Sequence, residues 1–142
     1  MVEKIAKSHR VIEFAGEFEM ELSQLNDQEE MALFMADMGI RESAKDQLCR
    51  TAYELLGYIS FFTVGTDEVR AWSIQEGESV LAAAGTIHTD LSRGFIRAEC
   101  MSYDNLVACG SEKRVGESGL LRLEGKSYVV QDGNILNIRF NV

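Results

Sequence analysis

Proline is absent from all 142 residues, tryptophan occurs once, histidine twice and cysteine three times. Without proline, a repeat or a low-complexity linker, composition marks no domain boundary, and glycine supplies the punctuation. Cys49, Cys100 and Cys109 form no CxxC pair and are odd in number, which argues against a disulfide framework and against a zinc ribbon. Cys49 and Cys100 fall at apolar positions of an expected helix and strand and read as buried thiols. Cys109, beside Gly110 in an expected loop, is the one to test for reactivity. Two histidines, with neither HExxH nor GxSxG, supply no parts for hydrolytic metal chemistry or a serine triad. Long apolar runs are missing too. The most apolar stretch, Leu55 to Val64, is interrupted by Gly57 and Ser60 and falls short of the roughly 20 residues of a bilayer span. The charged start, MVEKIAKSHR, lacks the apolar core of a secretory signal, so a cytoplasmic location with no membrane partner is expected.

Positive charge is scarce. Lysine and arginine number 14 against 23 aspartates and glutamates, a net charge of −9. Residues 1–59 hold 6 basic and 12 acidic side chains, and residues 60–142 hold 8 and 11. Such a field repels phosphate and excludes non-specific nucleic-acid binding. RNA contact therefore requires a local basic patch, for which the second part supplies Arg93, Arg97, Lys113, Arg114, Arg122, Lys126 and Arg139. What remains is ordinary for a soluble globular chain: 46% hydrophobic and 26% charged residues, in a length that can bury a core.

Val11 to Phe14 reads as a short strand. Asn26 followed by Glu29 has the spacing of a helix cap with a returning carboxylate. Met31, Phe34, Met35 and Met38 then form an apolar stripe that Gly39 ends. A second helix is expected with Ser43 as its cap, an inner face of Leu48, Ala52, Leu55 and Leu56, and Gly57 as its stop. From Tyr58 the period changes to two. Glu68 to Ile74 is strand-like, with Trp72 read as core. A helix from Ser79 buries Leu81, Ala84 and Ile87. In Phe95 to Met101, Ile96, Ala98 and Cys100 point one way, with Arg97 and Glu99 opposite. Leu120 to Leu123 is another short strand, and Asp132-Gly133 reads as a hairpin turn between Tyr128–Val130 and Ile135–Phe140. A strand, a helix, a strand and a hairpin describe a small sheet wrapped around one helix, an α+β fold.

Gly125-Lys126-Ser127 invites comparison with a phosphate-binding loop. Five residues rather than four separate Gly119 from Gly125, and the triplet leads into Val129-Val130 rather than into a helix. It is expected to be a strand-connecting turn. These 142 residues contain no phosphate-binding loop.

The most informative stretch is GTIHTDLSRGFIRAE, Gly85 to Glu99, where a short helix hands over to a strand through a histidine, a threonine, an aspartate and two arginines. Together with FFTVGTDEVRAWSI, RLEGKSYVVQDGN and the terminal RFNV, it resembles the TGS domain that closes the YchF/Obg-related nucleotide-hydrolysing proteins. The resemblance spans residues 58–142. VIEFAGEFEMELSQL and the two helices after it are similar to the end of that family's nucleotide domain. The resemblance thus implies two parts: a strand-plus-helices remnant over 1–57 and a TGS-like β-grasp, ubiquitin-like domain over 58–142.

Members of this family hydrolyse ATP in preference to GTP, with magnesium, and associate with ribosomes. The resemblance therefore implies a non-catalytic, regulatory ligand-, RNA- or ribosome-binding module that carries no cofactor or metal of its own. The alternative is part of a phosphate-loop ATPase or GTPase, active only with its nucleotide domain. His88, Thr89, Asp90, Arg93, Gly94 and Arg97, with Phe95 alongside, match the TGS signature and are the candidate ligand-binding residues. Phe14, Ala15 and Gly16 match the turn that lies against the nucleotide and would form one wall of its pocket. The sequence departs from the family at Thr86, Leu91 and Ser92, which commonly are lysine, phenylalanine and an acidic residue, and at Leu81, usually proline. Arginine forks suit phosphate, carboxylate or an RNA backbone, so the expected partners are a ribosome, RNA or a small phosphorylated regulator. The same residues have structural readings: His88 or Asp90 satisfying a helix end, Gly94 adopting backbone angles closed to other residues, and Arg93 and Arg97 as solvated charge. Self-association is a further expectation, through an unpaired Val11–Phe14 strand edge.

Overall fold

In the computed structural model, which describes residues 11–65 and 67–141, the chain separates into a helical unit ending at Leu55 and a sheet-bearing unit beginning at Leu56.

Among the described residues the helical unit has three helices: α1 (Gly16–Leu22), α2 (Gln28–Asp37) and α3 (Ala44–Leu56). Phe18 and Leu22, one turn apart on α1, are buried, and Phe18 stacks on Phe34 of α2 with centroids 5.0 Å apart. The cap of α2 is Asp27 rather than Asn26; its carboxylate accepts the Glu29 amide at 2.8 Å, and its charge suits the positive helix end. Gly39, at φ +67, lets the Ile40 amide reach the Met35 carbonyl at 2.9 Å and closes the helix as expected. Ser43 caps α3, accepting from the Asp46 amide at 3.1 Å while donating to its carboxylate. The Glu19 carboxylate accepts the Ala44 amide at 2.7 Å, tying α1 to the start of α3.

Three further expectations for this unit fail. Residues 11–15 form no strand, and the chain enters α1 at once, because Phe18 and Leu22 recur at helical spacing behind the acidic first-turn residues Glu17 and Glu19. The strand edge that motivated self-association is therefore not formed. The face of α3 expected to be inner is turned outward: Leu48, Leu55 and Leu56 are 60–66% exposed, whereas Thr51 is buried. Three helices offer one small core, and the Ala44–Gln47–Thr51 side is the one that meets it. Cys49, on the outward side, is exposed rather than buried.

The second unit opens with an antiparallel pair, β1 (Tyr58–Val64) and β2 (Val69–Gln75), in register from Tyr58↔Gln75 to Val64↔Val69. Then come α4 (Val80–Ile87), α5 (Thr89–Arg93), β3 (Phe95–Ser102), α6 (Tyr103–Cys109), α7 (Glu112–Glu117), β4 (Arg122–Glu124) and β5 (Asn134–Phe140). The sheet order is β2-β1-β5-β3-β4, with β1 and β5 parallel at its centre. A first hairpin, a helix on one face and a last strand inserted between β1 and β3 make this the β-grasp arrangement, and the fold class is α+β.

Ser79 caps α4 as expected, accepting from the Ala82 amide. That helix covers the inner sheet face, burying Val80, Ala83 and Ala84 against Phe61, Ile74, Phe95, Ala98, Cys100, Val130 and Leu136. Leu81 and Ile87 pack at the rim of this core, as does Trp72, whose indole N–H donates to Thr63 Oγ1 at 3.0 Å. On the outer face α6 and α7 cover only part of the sheet, over Met101, Ile135 and Val115.

Two details differ from the sequence reading. Asp132-Gly133 is a turn, but no hairpin: Tyr128–Val130 pairs with the segment before α4, through Val80 N–H to the Tyr128 carbonyl and Val130 N–H to the Glu78 carbonyl. Asp132 instead accepts the Ser60 amide at 2.8 Å, fastening the turn to β1. Secondly, a register shift between Phe95 and Arg97 puts Phe95 inside and leaves Ile96 about half exposed.

Candidate functional site

The signature residues begin where α4 ends. His88 is extended, at φ −164 and ψ 143, and serves both helices at once: its amide closes α4 on Ala84, and its Nδ1 accepts the Asp90 amide at 3.2 Å to cap α5. Nδ1 also lies 3.4 Å from the Asp90 carboxylate, and Arg93 reaches that carboxylate from 3.8 Å. Thr89 is exposed, and its carbonyl accepts the Ser92 hydroxyl at 2.8 Å. His88, Asp90 and Arg93 thus form a solvent-facing helix-capping cluster in which the Arg93 side chain is 83% exposed. Leu91 turns the other way and packs on the core.

Gly94 has a structural reason to be glycine, though not the expected one. Its φ of −92 and ψ of 12 are open to any residue. What excludes a side chain is Asn141. The Asn141 amide donates to the Gly94 carbonyl at 2.9 Å, and a Cβ on Gly94 would lie 2.8 Å from the Asn141 carbonyl carbon and nearer still to its oxygen.

Arg97 does not join this cluster. Ala98 and Ile138 face the inner core, so strand alternation sends Arg97, Glu99 and Met101 of β3 to the outer face with Arg139, Asn137 and Ile135 of β5. Met101 and Ile135 lie under α6 and α7, while Arg97, Asn137 and Arg139 are exposed. Glu99 accepts from Arg139 at 3.0–3.2 Å and from the Asn137 amide at 3.2 Å. The Arg97 side chain has no ion pair or hydrogen bond among the described residues. The six candidates of this unit therefore separate into a capping cluster, a close-packing glycine and an outer-face arginine. Glu99 was expected on the face of Arg97, as found, but Asn137 and Arg139 of β5 were not placed beside them. The alternation in FIRAE and NIRF carried the signal, but the pairing of β3 with β5 could not be read from it.

A second polar cluster was also missed. Arg122 donates to the Tyr128 hydroxyl at 2.9 Å and lies over its ring. That hydroxyl donates to Asn134 Oδ1 at 2.9 Å, which also accepts the Gln131 amide at 3.0 Å. Burial pushes both the Cys100 thiol and the Tyr128 hydroxyl above their ordinary range. With Asn134 buried and its carbonyl satisfied, the cluster ties the β4–β5 connection together, and Arg122 is its exposed member.

Phe14 is 68% exposed, Ala15 is extended and Gly16 begins α1. Among the described residues no phosphate cradle accompanies them: Gly125-Lys126-Ser127 is a turn closed by the Tyr128 amide on the Gly125 carbonyl. The residues present do not fit a magnesium nucleoside triphosphate. Two shallow grooves of the second unit, of about 290 and 270 Å³, carry Asp104 and Asp132 in one and Glu76 and Asp132 in the other, so their charge disfavours a small phosphorylated ligand. Among the described residues no group of three or more His, Cys, Asp or Glu is placed to hold a metal, and no helix is long and apolar enough to cross a membrane.

The family model YchF-GTPase_C, described as "Protein of unknown function (DUF933)", matches residues 58–141. The "Ribosome-binding ATPase YchF" of Bacillus subtilis (strain 168) is 46% identical over 132 residues, 93% of this chain and 36% of that protein. The protein of the same name from Haemophilus influenzae is 41% identical over the same shares. Among solved structures, that of the Schizosaccharomyces pombe YchF GTPase superposes with a TM-score of 0.83 at 30% identity, over 97% of this chain and 38% of that one. The chain therefore spans little more than a third of the length of these relatives.

Proposed function

The chain belongs to the YchF family, whose C-terminal domain it carries, and on that premise we propose that it is a non-catalytic TGS-type module that engages the ribosome and regulates the protein it serves. Under this reading residues 58–142 are the binding domain and residues 1–57 derive from the end of an Obg-related nucleotide domain. It acts in the cytoplasm, through RNA, and carries no cofactor of its own. The observation that carries the reading is the presentation of arginine on two solvent-facing surfaces of an otherwise acidic chain: Arg93 on α5 and Arg97 on β3. Relatives named for ribosome binding share this region at 41–46% identity. His88, Asp90 and Gly94 shape the turn that presents Arg93 and Thr89. The test is a titration with purified ribosomes, repeated on Arg93→Ala and Arg97→Ala. Weaker binding by either variant is expected, and affinity that ignores both changes would defeat the reading.

A second reading is favoured by the apolar face of α3, where Leu48, Leu55 and Leu56 are 60–66% exposed. Here the chain works as part of an ATPase, its helical unit covered by a nucleotide domain for which Phe14, Ala15 and Gly16 supply one wall. Mixing the chain with a relative's nucleotide domain should then protect α3 from amide exchange and change the rate of ATP hydrolysis. Unaltered exchange and rate would dispose of this alternative.

A further inference from the structure

The dipeptide Asp-Gly occurs once in the chain, at Asp132-Gly133, and Asn-Gly does not occur. Glycine leaves the nitrogen that follows an aspartate unhindered, so this is the pair most open to ring closure. In that reaction the Gly133 nitrogen bonds to the Asp132 side-chain carboxyl carbon, and the carboxyl hydroxyl and the amide proton leave together as water. Water then opens the resulting succinimide at either carbonyl. Opening at the backbone carbonyl gives isoaspartate, in which the main chain runs through the former side chain. Space does not prevent it here, since Asp132 is exposed and a Cβ on Gly133 would meet nothing within 4 Å. One residue of β1 does. The Ser60 amide donates to Asp132 Oδ1 at 2.8 Å, and the Ser60 carbonyl accepts the Gly133 amide, also at 2.8 Å. Both reacting groups are held by the same backbone unit. The two bonds act in opposite senses. A donor on the carboxyl makes its carbon the better electrophile, whereas the acceptor on Gly133 retains the proton that must leave. The second prevails, because no ring closes until that N–H is released. The Gly133 carbonyl, which accepts the Tyr103 amide at 3.0 Å, holds the turn from its other side.

We propose that Asp132-Gly133 is a latent site of isoaspartate formation gated by the Ser60 backbone, so that the modification marks domains in which β5 has left β1. The turn leads straight into the β1–β5 pairing, Phe61↔Asn134 and Phe62↔Ile135, and separation of these strands frees both reacting groups at once. Isoaspartate adds a carbon to the main chain between Gln131 and Asn134 and moves the carboxylate onto the α-carbon. Ser60 then no longer meets both partners, and closing the sheet again does not undo the change. The inference stands apart from what the domain binds.

The experiment uses the full chain carrying Asp132→Asn. This variant keeps a side-chain oxygen for the Ser60 amide and closes the same ring with ammonia as leaving group, so intact mass rises by one unit as it reacts. Its rate is followed in native buffer and in guanidinium at one pH and temperature, beside amide exchange at Gly133. The native rate should be slower by about tenfold or more, the cost of opening two hydrogen bonds. The slowing should equal the exchange protection of Gly133, because both events need the same opening. In the unaltered chain, peptide mass spectrometry should find isoaspartate at 132 after guanidinium and not after the same time in native buffer. That comparison decides the matter even if Trp72 fluorescence shows the variant to be unfolded. A native rate equal to the unfolded rate overturns the proposal, as does fast reaction while the Gly133 amide stays protected. Protein recovered with isoaspartate at 132 and returned to native buffer should lack exchange protection at Ser60 and Gly133; protection regained there would overturn the lasting mark.

Discussion

Replacing Gly94 by alanine is expected to destabilise the sheet-bearing unit by about 1–3 kcal/mol, although its backbone angles suit alanine. The cost is steric. A Cβ would overlap the Asn141 carbonyl, with the Asn141 nitrogen 3.2 Å away, so the chain has two responses. If the end of β5 stays in place, neighbouring backbone must shift, at the roughly 1–3 kcal/mol typical of overpacking. If Asn141 lifts away instead, the bond from its amide to the Gly94 carbonyl is lost, about 0.5–1.5 kcal/mol. In a domain of this size each kcal/mol moves the melting temperature by about 4–8 °C. Trp72, the one tryptophan of the chain, lies in this unit, so its fluorescence in urea reports on this unit directly. Amide exchange at Asn141 distinguishes the two responses. Gly125→Ala is the control, since a Cβ there meets nothing within 4 Å, and it should be nearly neutral. A Gly94→Ala change below about 0.5 kcal/mol, the ordinary range of surface substitutions, would refute the close-approach argument.

Three further outcomes are expected. A thiol reagent should label exposed Cys49 first, half-buried Cys109 more slowly and Cys100 only after unfolding, since burial shields that thiol and pushes its ionisation up; native-state labelling of Cys100 at the Cys49 rate would contradict the packing of β3. Tyr128→Phe should cost about 1–2 kcal/mol in urea unfolding by removing the hydroxyl between Arg122 and Asn134, and an unchanged midpoint would show that the cluster does not hold the β4–β5 connection. Because burial raises the Cys100 thiol and the Tyr128 hydroxyl above their ordinary 9.0 and 10.0, the folded state keeps protons that the unfolded state releases. Their contribution to stability is complete below pH 9.0 and is lost as the pH rises through the raised values, so urea midpoints should be level in the neutral range and fall in alkali, and Cys100→Ala should blunt the first part of the fall.

Local rules placed the caps at Ser43 and Ser79, the stops at Gly39 and Gly57 and the change of period at Tyr58, because each depends on residues within one turn or one strand. The failures share a cause in long-range choices. Whether Tyr128–Val130 pairs with β5 or with the approach to α4 is decided by chain closure over about fifty residues, not by the Asp132-Gly133 dipeptide. The apolar stripe of α3 was legible, but among the described residues the buried position is Thr51 on the opposite side, so the inner and outer faces were exchanged. At the candidate site, the sequence identified arginine at 93 and 97 without revealing that one side of the sheet carries the first and the other side the second. Gly94 was singled out correctly for the wrong reason, since a backbone crossing from residue 141 leaves no mark near residue 94.

The position of β5 has a consequence for how the domain comes into being. Strands β1 with β2, and β3 with β4, are two ribbons that nothing joins edge to edge until residues 134–140 slide in between them. The middle of the sheet is thus its last piece in chain order, and its folding carries the slow closure expected of distant partners. A truncation that removes only this final strand would not trim a border. It would unlatch the whole β-grasp, leaving two hairpin-like halves with their apolar sides open to water.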